Sequence, residues 1–225
     1  MSEVDIVVVD DPASVVADML ASAARDGGHI VLTGGSTPAR AYELAAERQP
    51  DWSRTQLWWG DERCVPPDDE HSNYGMAKRT LLDGLAAQPT AVHRMRGELG
   101  RDAGAEEYDR ELGELARFDL LLLGLGPDGH IASLFPNAPT LRQRKKVLPA
   151  EPGLEPFVDR VTLSLPALRG AREIIFLLAG EEKAEAAARA FAGEPSEETP
   201  ASLVRADDGR TVVILDRAAA AKLPA

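Results

Sequence analysis

The sequence predicts an α/β fold: a doubly wound, Rossmann-like, mostly parallel sheet with helices on both faces. Three observations lead there. Apolar runs alternate with helix-like segments from one end of the chain to the other, the pattern of repeated βα units. The run at 118–123 (FDLLLL) is apolar almost throughout, as a strand covered on both faces requires. Four polar, mostly glycine-bearing clusters each follow such a run, where open α/β sheets gather their ligands.

Taken in order, strands are expected at 6–9 (IVVV), 29–32 (HIVL) and 56–59 (QLWW), followed by helices at 12–25, 38–49 and 72–82 respectively. Ser72 or Asn73 caps the third helix, with Met76, Leu81 and Leu82 toward the core. A weak strand at 92–95 and a charged helix at 103–117 lead to the strand at 118–123. Strands at 160–165, 174–178 and 211–215 and a helix at 181–192 complete the alternation. Residues 137–159, rich in proline and charge, read as a long loop near the active edge, and 193–199 as a flexible connector.

The chain has 225 residues, of which 44% are hydrophobic and 5% aromatic, enough for one substantial core and one domain spanning 1–225. Twenty-five Lys and Arg against 37 Asp and Glu leave a net charge of −12, which argues against nucleic acid as a partner. A small phosphorylated metabolite remains accessible, because local cations and backbone N–H groups dominate at contact range while distant charge is screened over about 8 Å. The lone Cys64 can form no internal disulfide, and no Cys/His cluster offers a metal cage, so neither metal nor cofactor is expected. The N-terminus lacks a basic leader and no segment approaches 18 consecutive apolar residues, so the expectation is a cytoplasmic protein with no membrane partner.

The chemistry concentrates in the clusters. TGGST (33–37) reads either as a capped turn, with Ser36 or Thr37 as N-cap before Pro38, or as an anion cradle in which Gly34 and Gly35 bare backbone N–H groups at a helix N-terminus. GDER (60–63) places at least one carboxylate and the Arg63 guanidinium at a strand end, against the alternative of a surface ion pair. GPDGH (126–130) sets His130 beside Asp128 in a glycine turn. Positioned histidine acid/base catalysis is worth about 10² to 10⁴ in rate, sufficient for a reactive ester. Lys183, in a helix first turn opened by Gly180, and Arg160 are further anion candidates or solvated surface residues, and 142–146 (RQRKK) reads as a solvated loop in preference to a substrate-gating segment. Ser36 and Ser133 lack a nucleophile elbow. Gly124, Gly126 and Gly129 satisfy G-x-G-x-x-G, but Pro127 and Asp128 sit within it and the run RQRKK occupies 142–146 beyond it, so a dinucleotide site is not expected.

At LTGGSTP (32–38), WWGDERCVPPDDEHSNYGMAK (58–78), LLGLGPDGHIASLFP (122–136), RVTLSLPAL (160–168) and AGEEKAEA (179–186), the chain resembles the 6-phosphogluconolactonase family, within the wider group of sugar-phosphate isomerases and glucosamine-6-phosphate deaminases. The resemblance implies metal-independent hydrolysis of 6-phospho-D-glucono-1,5-lactone. It implies His130 as general base, Asp61 beside the sugar ring, and Arg63 on substrate or oxyanion. Gly34, Gly35, Ser36, Arg160 and Lys183 are implied as phosphate contacts, with Asp128 among the substrate-binding residues. Deaminase relatives carry a glutamate where this chain has Phe135, which favours hydrolysis over isomerisation. The alternatives are isomerase or deaminase chemistry, and a sugar-phosphate-binding regulator without turnover. A monomer or weak homo-oligomer is expected.

Overall fold

The structure is a computed structural model that describes residues 4–113, 115 and 117–224. Strands β1 (Val4–Val8), β2 (Gly28–Leu32), β3 (Thr55–Trp59), β5 (Ala91–Val92), β6 (Leu120–Leu123), β9 (Glu173–Leu178) and β10 (Arg210–Leu215) form one sheet in the order β1-β10-β9-β6-β2-β3-β5. Every pairing in it is parallel. Helices α1 (Pro12–Asp26), α2 (Ser36–Arg48) and α3 (Asn73–Thr80) supply apolar residues to one face, and α4 (Arg101–Leu112), α5 (Leu165–Arg169) and α6 (Ala184–Phe191) to the other.

Side chains alternate across the inner strands β2, β3, β6, β9 and β10, where both sets are largely apolar, whereas edge strand β1 is largely exposed. Ile30, Leu32, Leu57, Trp59, Leu122, Ile175 and Leu177 enter one buried cluster, whereas Val31, Trp58, Leu121, Leu123, Ile174 and Phe176 enter the other. That two-faced burial explains why the strands read as continuous hydrophobic runs. Sharp local signals set the helix ends. The Asp11 carboxylate accepts the Ser14 N–H at 3.1 Å, Pro12 opens α1, and Gly27, at φ +86°, turns the chain straight into β2.

Two expectations about this architecture are corrected. Segment 137–159 is not all loop: a 3-10 turn at Pro139–Arg142 precedes β7 (Val147–Ala150), which with β8 (Arg160–Leu163) and β4 (Asp61–Arg63) builds a small antiparallel sheet, β4-β8-β7. Val147, Leu148 and Ala150 are buried there while Pro149 points outward on the sheet's edge, so proline and the preceding charges masked a short strand. The charged helix stops at Leu112, with Gly113 at φ +47°, rather than reaching 117; residues 114 and 116 of that span lie outside the described residues. No helix among the described residues is long and apolar enough to cross a membrane.

From β2 the chain proceeds to β3 and β5 on one side, whereas β6, β9 and β10 lie on the other. The carboxyl ends of β2 and β6 therefore diverge into a crevice, the position at which open α/β sheets bind ligands.

Candidate active site

The four polar clusters follow β2, β3, β6 and β9, which are consecutive neighbours in the sheet (β9-β6-β2-β3), and all four line one cavity of about 320 Å³. Gly34, Gly35, Ser36, Asp61, Arg63, His130 and Lys183 all face it; Asp128 and Arg160 do not.

Gly35, at φ +114°, serves as N-cap of α2, which starts at Ser36. Neither Ser36 nor Thr37 caps the helix as expected; both residues line the cavity in its first turn. The first turn of a helix leaves its N–H groups without intrahelical partners and carries partial positive charge. Lys183, in a 3-10 turn (Glu181–Lys183) after β9, reaches across to the Leu125 carbonyl at 2.9 Å, which holds its ammonium on the cavity wall.

Because β4 is a strand, Asp61 and Arg63 share one face and Glu62 takes the other. Asp61, only 7% exposed, accepts hydrogen bonds from Ser133 Oγ (2.6 Å) and Asn73 Nδ2 (3.2 Å). Arg63 donates to the His71 carbonyl at 2.5 Å, and its Nε has no protein partner. Glu62 turns inward and accepts from the N–H groups of Arg63, Asn73 and Tyr74 and from Ser72 Oγ, which ties α3 to the site. Burial still pushes its carboxyl above the usual range.

His130 is held on three sides. The Asp128 carboxylate lies 2.6 Å from Nδ1 and accepts the His130 backbone N–H at 3.0 Å. Burial pulls the Asp128 pKa upward, but these hydrogen bonds outweigh it and keep the carboxyl below its ordinary value. An ionised carboxylate only accepts, so Nδ1 carries a proton toward Asp128, and no hydrogen bond holds Nε2 among the described residues. Phe135 packs beside the imidazole at 4.9 Å between ring centroids, and Gly126 lies so close that an added Cβ would sit 1.9 Å from Nδ1. Asp128 thus orients the histidine instead of lining the cavity.

Arg160 is 3% exposed, and its guanidinium donates to the carbonyls of Leu154 (3.2 Å) and Pro156 (2.7 Å). Burial, and then the neighbouring Arg63, lower its pKa. Sequence reasoning missed Asn73 and Ser133 as partners of Asp61: one read as a helix cap and the other as a poor nucleophile. No local pattern could expose a hydrogen bond between positions 61 and 133. The other histidines lie elsewhere. Trp58 Nε1 donates to His29 Nδ1 at 3.0 Å, and His93 stacks on Trp58 at 3.7 Å. Among the described residues, no group of three or more His, Cys, Asp or Glu could hold a metal ion.

Known proteins resemble this chain over most of its length. The sequence model of the glucosamine-6-phosphate isomerases/6-phosphogluconolactonase family matches residues 7–213. The 6-phosphogluconolactonase of Streptomyces coelicolor is 40% identical over 223 residues, covering 91% of this chain and 85% of the relative. The human 6-phosphogluconolactonase is 38% identical over 201 residues, covering 84% and 78% respectively. The crystal structure of 6-phosphogluconolactonase from Thermotoga maritima superimposes with a TM-score of 0.86 at 31% identity, covering 95% of this chain and all of that one. A monomeric glucosamine-6-phosphate deaminase, at 20% identity and a TM-score of 0.83, covers 98% of this chain and all of its own and shares the fold.

Proposed function

We propose, from the premise that this chain belongs to the glucosamine-6-phosphate isomerase/6-phosphogluconolactonase family, that it hydrolyses 6-phospho-D-glucono-1,5-lactone to 6-phospho-D-gluconate in the oxidative pentose phosphate pathway. The enzyme works without metal or cofactor, and His130 is its general base. The observation that carries the reading is the Asp128–His130 pair, with Nε2 free at the rim of the cavity that also holds the Gly34–Gly35–Ser36 turn.

The phosphate sits at the N-terminus of α2 against the N–H groups and hydroxyls of 34–37, with Lys183 supplying the countercharge. Asp61, its carboxylate fixed by Ser133 and Asn73, accepts a hydrogen bond from a ring hydroxyl. His130 Nε2 removes a proton from water, whose oxygen attacks the lactone carbonyl carbon. Arg63, which lines the cavity, stabilises the resulting oxyanion. As the tetrahedral species collapses, the bond to the ring oxygen breaks, and the imidazolium returns its proton to that oxygen. Asp128 stabilises the imidazolium meanwhile. Phe135 places no titratable group where deaminase relatives carry a glutamate, which supports hydrolysis over isomerisation. The place of action is the cytoplasm, as a monomer or weak homo-oligomer.

The test is the loss of freshly generated lactone at controlled pH, corrected for spontaneous hydrolysis. His130→Ala is expected to lower turnover by at least about 10², and a chelator to leave the wild type unchanged. An undiminished H130A rate, or a chelator-sensitive one, would overturn the reading. Release of ammonia from glucosamine 6-phosphate would favour the deaminase alternative, and product binding without acceleration would favour the regulator.

A further inference from the structure

We propose that Arg160 is a positioning residue that acts on His130 through the loop at 153–156 and Phe135, and that it makes no contact with the phosphate. The inference rests on the assignment of His130 as general base.

Four contacts form the chain of support. Arg160, at the start of β8 and opposite Arg63 in the register of the small sheet, is buried and absent from the cavity lining. It makes no ion pair with a carboxylate among the described residues, and Nη2 is occupied by the Leu154 and Pro156 carbonyls. A buried guanidinium is costly to desolvate, so one kept without a carboxylate has to be offset by the backbone acceptors it gathers. Those acceptors lie immediately after Gly153. A Cβ built on Gly153 would fall 2.4 Å from the Phe135 ring, so the loop backbone is pressed directly on that aromatic face. Phe135 in turn packs beside the His130 imidazole. Asp128 fixes the ring through Nδ1, and Gly126 closes on the Nδ1 edge. The remaining side rests on Phe135, and Phe135 rests on a loop that Arg160 pins. Releasing that loop lets the base tilt away from the line of attack, and a misplacement of about 1 Å can cost about 10² in rate.

Phosphate binding and positioning predict different kinetics, because an unphosphorylated lactone reports only the second. Arg160→Met is expected to lower kcat about tenfold or more on both 6-phosphogluconolactone and glucono-1,5-lactone, with KM for the phosphorylated substrate little changed. Arg160→Lys, which can still donate to the two carbonyls, is expected to recover most of the loss. Gly153→Ala, which pushes on Phe135 while leaving the arginine in place, is expected to reproduce the kcat defect; if R160M does not fold, this variant carries the test. The double variant is expected to be no worse than the more impaired single, as residues acting through one path are non-additive. A rise in KM confined to the phosphorylated lactone would overturn the proposal and restore Arg160 as a phosphate contact. Unchanged kcat in G153A would also overturn it. An inactive H130A beside a normal R160M would sink this inference alone, whereas a fully active H130A would sink the general-base reading and this inference with it.

Discussion

Replacing Asp128 with asparagine removes one charge and almost no volume, and it strikes the contact on which the histidine's protonation pattern depends. In the native site, Asp128 Oδ1 lies 2.6 Å from Nδ1 and also accepts the His130 backbone N–H. In the proposed mechanism Nε2 takes a proton from water and the ring becomes cationic, so that the carboxylate then faces a full opposite charge. At about 4 Å between charge centres and an effective dielectric of about 20, that interaction approaches about 4 kcal/mol. Both side chains keep part of their surface in solvent, 22% and 30%, so about half of that value is a better lower bound. Between about 2 and 4 kcal/mol corresponds to about a 30- to 1,000-fold loss of turnover. An asparagine that turns its NH₂ toward Nδ1 would also shift the ring proton to Nε2 and abolish the lone pair, which moves the result toward the upper figure. The assay is lactone loss above the spontaneous rate at neutral pH, with kcat and KM separated. D128N is expected to affect kcat while leaving KM for the phosphorylated substrate nearly constant, since Asp128 does not line the cavity. Turnover within about threefold of the wild type would fall below even the smaller figure and refute the orienting role.

Gly126→Ala is expected to lower kcat by about 10² or more, because the new Cβ would meet His130 Nδ1 at 1.9 Å; comparison of its thermal unfolding with the wild type separates displacement of His130 from loss of fold. Far from the cavity, burial lowers the His29 pKa and the bond from Trp58 Nε1 requires its Nδ1 unprotonated. The unfolded chain then binds the proton more readily than the folded one. This contribution to stability is fully present above the usual histidine value of about 6.5 and is lost as pH falls through the lowered folded value. Urea midpoints are expected to fall between pH 7.5 and 5.5 more steeply in the wild type than in His29→Gln; equal slopes would contradict this.

Much of the architecture was open to sequence reasoning because two-faced burial writes itself as uninterrupted apolar runs. The run 120–123 between β9 and β2 had to be apolar on both sides, and it is. Strand β7 escaped because an edge strand of four residues containing Pro149 carries too little pattern. In the candidate site, glycines, Asp128 and His130 announced themselves by sitting together. Asn73 and Ser133 did not, since their partner Asp61 lies 12 and 72 residues away, and hydrogen bonds at such separation leave no local periodicity. Arg160 was conspicuous as a cation, but a cation's partner is not encoded beside it.

By itself, then, the sequence determined the parallel sheet, the starts of α1 and α3 and the placement of four ligand-type turns after apolar strands, because each follows from local spacing and side-chain chemistry. The tertiary structure alone decided that those turns follow four consecutive strands around one crevice, and that Asp128 holds the His130 ring instead of facing the cavity. It also decided that Arg160 grips a loop behind Phe135. Strand order and the direction of a buried side chain are set by packing among distant segments, and that information exists only once the chain has closed on itself.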